Sequence, residues 1–408
     1  MSSASGVPAG ADAVEHPSGR LVEPGTDVRS RRATLDNWLD PDHIAWSVRH
    51  VRELIPTERI RSSPSPRALP ERLDSSLLDL TVEAHDGAVR LEDLLRERER
   101  DALLVVHQGE VVLDWLAPGV RSDEQHLCFS VTKSVTGLLA GALATRGQLD
   151  LEARAGDLVP EIAGSAFATA TVRQLMDMEV SFAFVEDYTP GPDVQAYRYA
   201  AGWYPAPPGS PALHEFLATR VPDGPHGERF RYLSPTIDLL GWICARAAGT
   251  TWAEAVERHL WQPCGAELGA SVTLDREGTP RAAGGMSALP RDLARLGLVV
   301  AERGSGIVSE EFLDDLLHAG HREQWKRGDF ADMWVDGAYR SGWYTPGLDP
   351  DVALGVGIYG QMLYVDVPRQ VVVVVLSSWS DPDDEDWHQD NHTLCRTLAH
   401  HLSPTSLA

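Results

Sequence analysis

Phe129-Ser130-Val131-Thr132-Lys133-Ser134 is the stretch on which the reading of this chain turns. From Ser130 to Arg146 the apolar positions Val131, Val135, Leu138, Leu139, Ala142 and Leu143 recur at helical spacing, and Gly147 supplies the stop. Ser130 stands where the helix starts and Lys133 follows one turn later, so both side chains lie on one face. A serine hydroxyl is a poor nucleophile until a neighbour takes its proton. A lysine with a lowered pKa can do that, and the helix N-terminus adds positive potential and free N–H groups. The spacing alone fits equally a capping serine beside a solvated lysine. Composition adds a second hint: lysine occurs only at Lys133 and Lys326, every other basic residue being arginine or histidine. Arginine does not give up its proton, whereas lysine can be tuned into a base.

The chain has 408 residues, 43% apolar and 24% charged, enough for two or three structural units or one large domain with an insertion. Lys plus Arg is 36 against 60 Asp plus Glu, a net charge of −24. A surface that acidic repels phosphate backbones and anionic lipid, which tells against nucleic acid and membrane partners. No apolar run approaches the roughly 20 residues of a membrane helix. Residues 1–19 lack a basic start and an apolar core, so no secretory signal is expected. Cys128, Cys244, Cys264 and Cys395 are scattered without a C-x-x-C pair. A reduced, cytoplasmic setting is the expectation.

Outward from the motif, residues 1–34 read as a mobile polar tail, and Ile55 to Leu73, with four prolines, as an extended surface strap. Residues 35–94 as a whole are expected to pack on a catalytic domain. Leu103–His107 and Val111–Trp115 flank Gln108-Gly109-Glu110 as a hairpin, and Gln361–Val367 with Val371–Leu376 form another. Between them lies a helical region: Thr171 caps a short helix, Pro211–Arg220 is amphipathic, and Ser234-Pro235 reads as a cap and first turn of a helix stopped by Gly249. A further helix is expected around Arg291–Glu302 and a closing one from about Glu385 to Leu402. The order argues for an α+β fold, an antiparallel sheet flanked by helices. Its α/β catalytic subdomain would comprise 95–170 and 271–408, with an all-α insertion over 171–270.

Tyr232, in Arg231-Tyr232-Leu233-Ser234, projects from a loop–helix junction rather than from a core stripe. An adjacent ammonium can lower a phenol from its usual ~10 toward general-base range. A lone tyrosine there could equally pack at an edge with its hydroxyl satisfied. Together with S-x-x-K, the Y-x-S element resembles the serine β-lactamase/DD-peptidase superfamily, and more closely its class C-like esterase and amidase branch. The resemblance spans about residues 95–400. Within the branch the chain is similar to the 6-aminohexanoate-dimer (nylon-oligomer) hydrolases through Glu186-Asp187-Tyr188, Ala201-Gly202-Trp203, Asp292-Leu-Ala-Arg295, Gly357-Ile-Tyr-Gly-Gln361 and Leu376-Ser-Ser-Trp379.

This resemblance implies Ser130 as acylated nucleophile, Lys133 as its activating partner and Tyr232 as proton shuttle. It implies an oxyanion hole from the N–H groups of Ser130 and Ile358, no cofactor and no metal. Tyr188, Arg198, Ala283 and Tyr359 would contact a small-molecule ester or amide, and a homodimer is left open. Two departures matter. Gly355-Val356-Gly357 stands where the superfamily has K-T-G, without its cation, which tells against β-lactams and peptidoglycan stems. Arg198 and Ala283 replace the aspartate and polar side chain of efficient dimer hydrolases, which shifts the expectation toward an esterase with weak dimer activity. Arg198 could instead point to solvent and pair with an acidic neighbour. A β-lactamase or DD-peptidase and a degenerate binding scaffold remain the alternatives.

Other signals carry less. Gly355-Val-Gly-Ile-Tyr-Gly360 matches G-x-G-x-x-G, but a strand follows where a dinucleotide site needs a helix. His388 and His392 beside four acidic residues could hold a divalent ion, yet read better as a solvated helix face. H-E-x-x-H, Walker and G-x-S-x-G signatures are absent.

Overall fold

In a computed structural model, residues 32–187 and 191–403 are described, with the backbone of the short pair 14–15 and 21–22. The tail expectation thus falls outside the described residues except for 32–34.

The sheet grows from the two hairpins. Val371–Ser377, a run of valines buried on both sides, pairs antiparallel with Gln361–Asp366 on one flank and Arg100–His107 on the other. Glu110–Leu116 continues past Arg100–His107, and Val352–Gly357, Trp343–Thr345 and Ala338–Arg340 complete seven antiparallel strands on the other side. Residues about a quarter of the way along the chain therefore pair with residues of its last quarter within the sheet. Side chains alternate between faces. Leu363, Val365 and Val372 lie against Gly297 of the helix Pro290–Ala301, whereas Met362 and Tyr364 meet Cys395 and His392 of the helix Glu385–Leu402. The two helices cover opposite faces.

The helix Val131–Thr145 lies on the first of these faces, buried almost throughout. Its approach needs glycine. A Cβ on Gly137 would collide with the Ser341 carbonyl, one on Gly355 would sit 2.8 Å from Ser134 Oγ, and one on Gly357 2.8 Å from the Cys128 carbonyl. Gly355 and Gly357 are two residues apart on one strand, so both face the helix start. That explains the G-x-G of the apparent dinucleotide fingerprint by packing.

A second, four-stranded sheet joins Thr57–Ile60, Ala270–Thr273, Met286–Ala288 and His126–Leu127. This corrects the strap: Thr57–Ile60 is a strand, and Ile60, Ser63 and Leu69 are buried, while the segment beyond hydrogen-bonds along Val111 and Val112. Prolines clustered after residue 60 hid a four-residue strand that precedes most of them. In chain order, the strands His126–Leu127 and Ala270–Thr273 are separated by a helical stretch that includes Val172–Met176, Pro192–Ala200, Leu213–Ala218, Ser234–Ala248 and Trp252–Val256. Thr171 and Gln174 form a capping box. Ser234 is not a cap: Leu233 takes the extended N-cap position and Ser234 is already helical, which releases its hydroxyl for another partner. Among the described residues no helix is long and apolar enough to cross a membrane.

Candidate active site

The site forms where the helix Val131–Thr145 begins under the end of strand Val352–Gly357. Phe129 adopts a left-handed φ of 42°, a conformation that costs a non-glycine residue free energy and turns the chain sharply into Ser130. Ser130 then occupies the N-cap position with helical φ/ψ, and its hydroxyl makes no capping hydrogen bond. It meets Lys133 instead: Lys133 Nζ lies 2.7 Å from Ser130 Oγ and 2.9 Å from the Ala283 carbonyl oxygen. Lys133 is 2% exposed. Burial pushes its ammonium down to about 7, with Glu186 and Asp238 opposing that shift and Arg281 reinforcing it. The solvated-lysine alternative is thereby excluded.

Tyr232 is buried in the wall opposite, its ring 4.9 Å from Lys133 Nζ and packed on Phe230 and Phe330. Its backbone N–H donates to Asp329 at 2.8 Å, which pins the junction ahead of the helix Ser234–Ala248. The Ser130 nitrogen lies beside Gly357, whose ideal Cβ would be 3.0 Å from it, and Ile358 follows Gly357 directly after the last ladder pair with Gln361. The two backbone groups expected as an oxyanion hole are thus neighbours.

The cleft between them is bordered by Phe129, Trp203, Arg198, Ala283, Gly284 and Ile358, among others. Arg198 is half-buried on the helix Pro192–Ala200, its guanidinium 5.6 Å from the Tyr204 ring, and it makes no ion pair among the described residues. Tyr359 is buried against Phe129, ring centroids 5.0 Å apart, in a small apolar cluster with Trp38, Leu127 and Trp203, next to the residues that border the cleft. Tyr359 adopts a left-handed φ of 59° just after the strand Val352–Gly357. Tyr188 lies outside the described residues.

Charged groups to which the sequence reading gave no role also surround this cleft, Glu186 and Arg281 on its border and Asp238 beside them. Glu186 is half-buried and accepts from both the backbone N–H and the hydroxyl of Ser234; burial raises its carboxyl, against the pull of Lys133. Asp238, 3% exposed, accepts from Arg281 Nη1 at 2.7 Å, from the Ala283 N–H at 2.8 Å and from the Tyr197 hydroxyl. Asp238 stands in the apolar run of Ser234-Pro-Thr-Ile-Asp-Leu-Leu, and a lone acid there was the available signal.

His388 and His392 are not on a solvated face. They are 5% and 2% exposed, against the sheet and Trp379 and Trp334, and burial pushes each down to about 4. Of the acidic residues that flank them, Asp384 caps the helix, Glu385 and Asp386 lie in its first turn, and Asp383 Oδ1 is 3.8 Å from His388 Nε2. Among the described residues no three His, Cys, Asp or Glu side chains converge as a metal site.

A beta-lactamase family model matches residues 88–394. The chain is 36% identical over 366 residues to the 6-aminohexanoate-dimer hydrolase of Paenarthrobacter ureafaciens, covering 87% of this chain and 90% of that protein. A solved structure from Bacillus anthracis that carries the 6-aminohexanoate-dimer hydrolase name superposes with a TM-score of 0.83 at 27% identity, over 91% of this chain and 98% of the other. A family VIII carboxylesterase shares the fold alone, with a TM-score of 0.56 and 15% identity over 74% and 93% of the two chains. Matched over most of its length by the family model and by the dimer hydrolase, the chain belongs to the beta-lactamase family and is a hydrolase.

Proposed function

We propose that the protein is a serine hydrolase that cleaves esters, and linear amides of the 6-aminohexanoate type weakly, through an acyl-enzyme on Ser130. The contact of Ser130 Oγ with the buried Lys133 Nζ carries this reading. In its neutral form Lys133 takes the hydroxyl proton as Oγ attacks the substrate carbonyl carbon. The developing oxyanion accepts from the N–H groups of Ser130 and Ile358. Tyr232 passes a proton to the departing alcohol or amine, and later takes one from the water that attacks the acyl carbon and frees Ser130. Because the ammonium lies near 7, activity falls as the pH drops below about 7, where Lys133 is protonated. The same reading assigns 95–170 and 271–408 to the catalytic subdomain and 171–270 to the inserted helical one.

Substrate preference follows from the cleft wall. Arg198 offers a guanidinium with no carboxylate partner among the described residues. A substrate ammonium at ~4 Å from it would be repelled by about 1 kcal/mol in water and about 4 at an effective dielectric of ~20. Acyl groups with a neutral or anionic tail are therefore preferred over the cationic end of an amino-acid dimer. Intact-mass analysis after a fluorophosphonate probe tests the mechanism: one adduct on the wild type and none on Ser130→Ala is expected. Labelling that survives Ser130→Ala would remove Ser130 as the nucleophile.

A further inference from the structure

We infer that Asp238 and Arg281, neither of which reaches the scissile bond, are positioning residues that set Lys133 through the Ala283 carbonyl. The inference rests on the proposed role of Lys133. Lys133 Nζ has two fixed neighbours, Ser130 Oγ at 2.7 Å and the Ala283 oxygen at 2.9 Å. The second acceptor fixes where the nitrogen's remaining bond, or lone pair, can point. Ala283 is held from its other side, because its N–H donates to Asp238 Oδ1 at 2.8 Å. Oδ2 of the same carboxylate accepts from Arg281 Nη1 at 2.7 Å and from the Tyr197 hydroxyl. Arg281 lies between the rings of Tyr197 and Trp203, at 4.2 and 4.7 Å, and Trp203 Nε1 donates to Thr273 Oγ1 at 3.0 Å on the four-stranded sheet. Every member of this chain of contacts is buried. The catalytic lysine is thereby tied to the second sheet, which contributes no reacting atom.

The groups that face Lys133 come from several elements. Ser130 is on its own helix, Glu186 on the loop before residue 191, Tyr232 and Asp238 at the start of the helix Ser234–Ala248, and Arg281 on the segment before Gly284-Gly285. Asp238 and Glu186 favour the ammonium, and Arg281 opposes it. Removing the carboxylate or the guanidinium should therefore move the lysine's titration in opposite directions, which loss of packing alone would not do.

The test is kcat/KM against pH for a p-nitrophenyl ester in the full-length wild type, Asp238→Asn and Arg281→Gln. The pH of half-maximal rate on the acid limb is expected to fall in Asp238→Asn and to rise in Arg281→Gln, each by about half a pH unit or more. Plateau kcat should drop about threefold or more with KM changed less than about twofold. Arg281→Lys should restore the wild-type limb. Where Asp238→Asn does not fold, Arg281→Gln against Arg281→Lys decides, because the two differ at one position in whether the positive charge beside Asp238 is kept. A limb unmoved in Arg281→Gln, or moved the same way in both variants, overturns the inference. A wild type that the fluorophosphonate does not label at Ser130 would instead sink the serine-hydrolase reading, whereas a labelled wild type with unmoved variants sinks only this inference.

Discussion

Two of the regions that bury titratable nitrogen differ in what surrounds it. At the start of the helix Val131–Thr145, burial brings the Lys133 ammonium down to about 7. Under the helix Glu385–Leu402, burial brings His388 and His392 down to about 4, and Arg100 donates to Asn391 at 2.7 Å beside them. Desolvation acts in the same direction on both sides of the sheet. The first region places the nitrogen 2.7 Å from a serine hydroxyl that caps nothing and borders a cleft. In the second, His388 Nδ1 and His392 Nε2 are buried with no hydrogen-bond partner, and their rings pack on tryptophan. A lowered pKa therefore does not mark a catalytic base; a nucleophile within reach and an open face do.

The largest expected effect would break the comparison at its reactive end. Lys133→Arg keeps the positive charge and removes the ability to accept a proton, so kcat/KM for p-nitrophenyl esters should fall by about a thousandfold or more. An Arg variant with near-wild-type turnover would reduce the lysine to an electrostatic role. Next comes Tyr232→Phe, which removes only the proton path and should lower turnover by about a hundredfold. Stopped-flow traces should then show a burst of released p-nitrophenol followed by slow deacylation; unchanged steady-state rates would exclude the phenol.

A smaller effect concerns specificity. Arg198→Asp with Ala283→Asn should raise hydrolysis of the 6-aminohexanoate dimer about tenfold, roughly 1.4 kcal/mol of transition-state stabilisation, with ester hydrolysis little changed. Product assayed by chromatography would show whether this wall governs choice; robust dimer hydrolysis by the wild type would show that it does not. The smallest effect sharpens the quiet side. A histidine held near 4 when folded and near 6.5 when unfolded binds its proton only on unfolding between those values. Its stability is full above about 6.5 and is lost as the pH falls toward 4. His388→Leu should lower by about 1–2 kcal/mol the stability difference between pH 7 and pH 5 in denaturant melts, while esterase activity at pH 8 stays unchanged. An identical pH dependence in the variant would show that His388 is not buried neutral.

The longer helices at 131–145, 234–248, 290–301 and 385–402 and the two central hairpins were legible in sequence because their signals are local. Helical periodicity over 131–145, the valine run at 371–375 and the closing helix at 385–402 each need only near neighbours to be read. The nucleophile and its lysine were legible for the same reason, being one turn apart. The strand Thr57–Ile60 was not, because its partner Ala270–Thr273 lies two hundred residues away and its own alternation is short. The burial of His388 and His392 escaped as well, since their acidic flank suggested solvent and only the sheet beneath them says otherwise.

By itself the sequence determined the α+β order, the Ser130–Lys133 pair and the absence of a cation at Gly355–Gly357. Tertiary structure decided what those residues experience. It buries Lys133, turns Arg198 over Tyr204 and packs Tyr359 against Phe129. It also brings Asp238, Arg281 and Glu186 around the lysine from three separate stretches of chain. The physical reason is that desolvation and Coulomb interaction depend on distance in space, whereas spacing along the chain reports distance only within a turn or a hairpin.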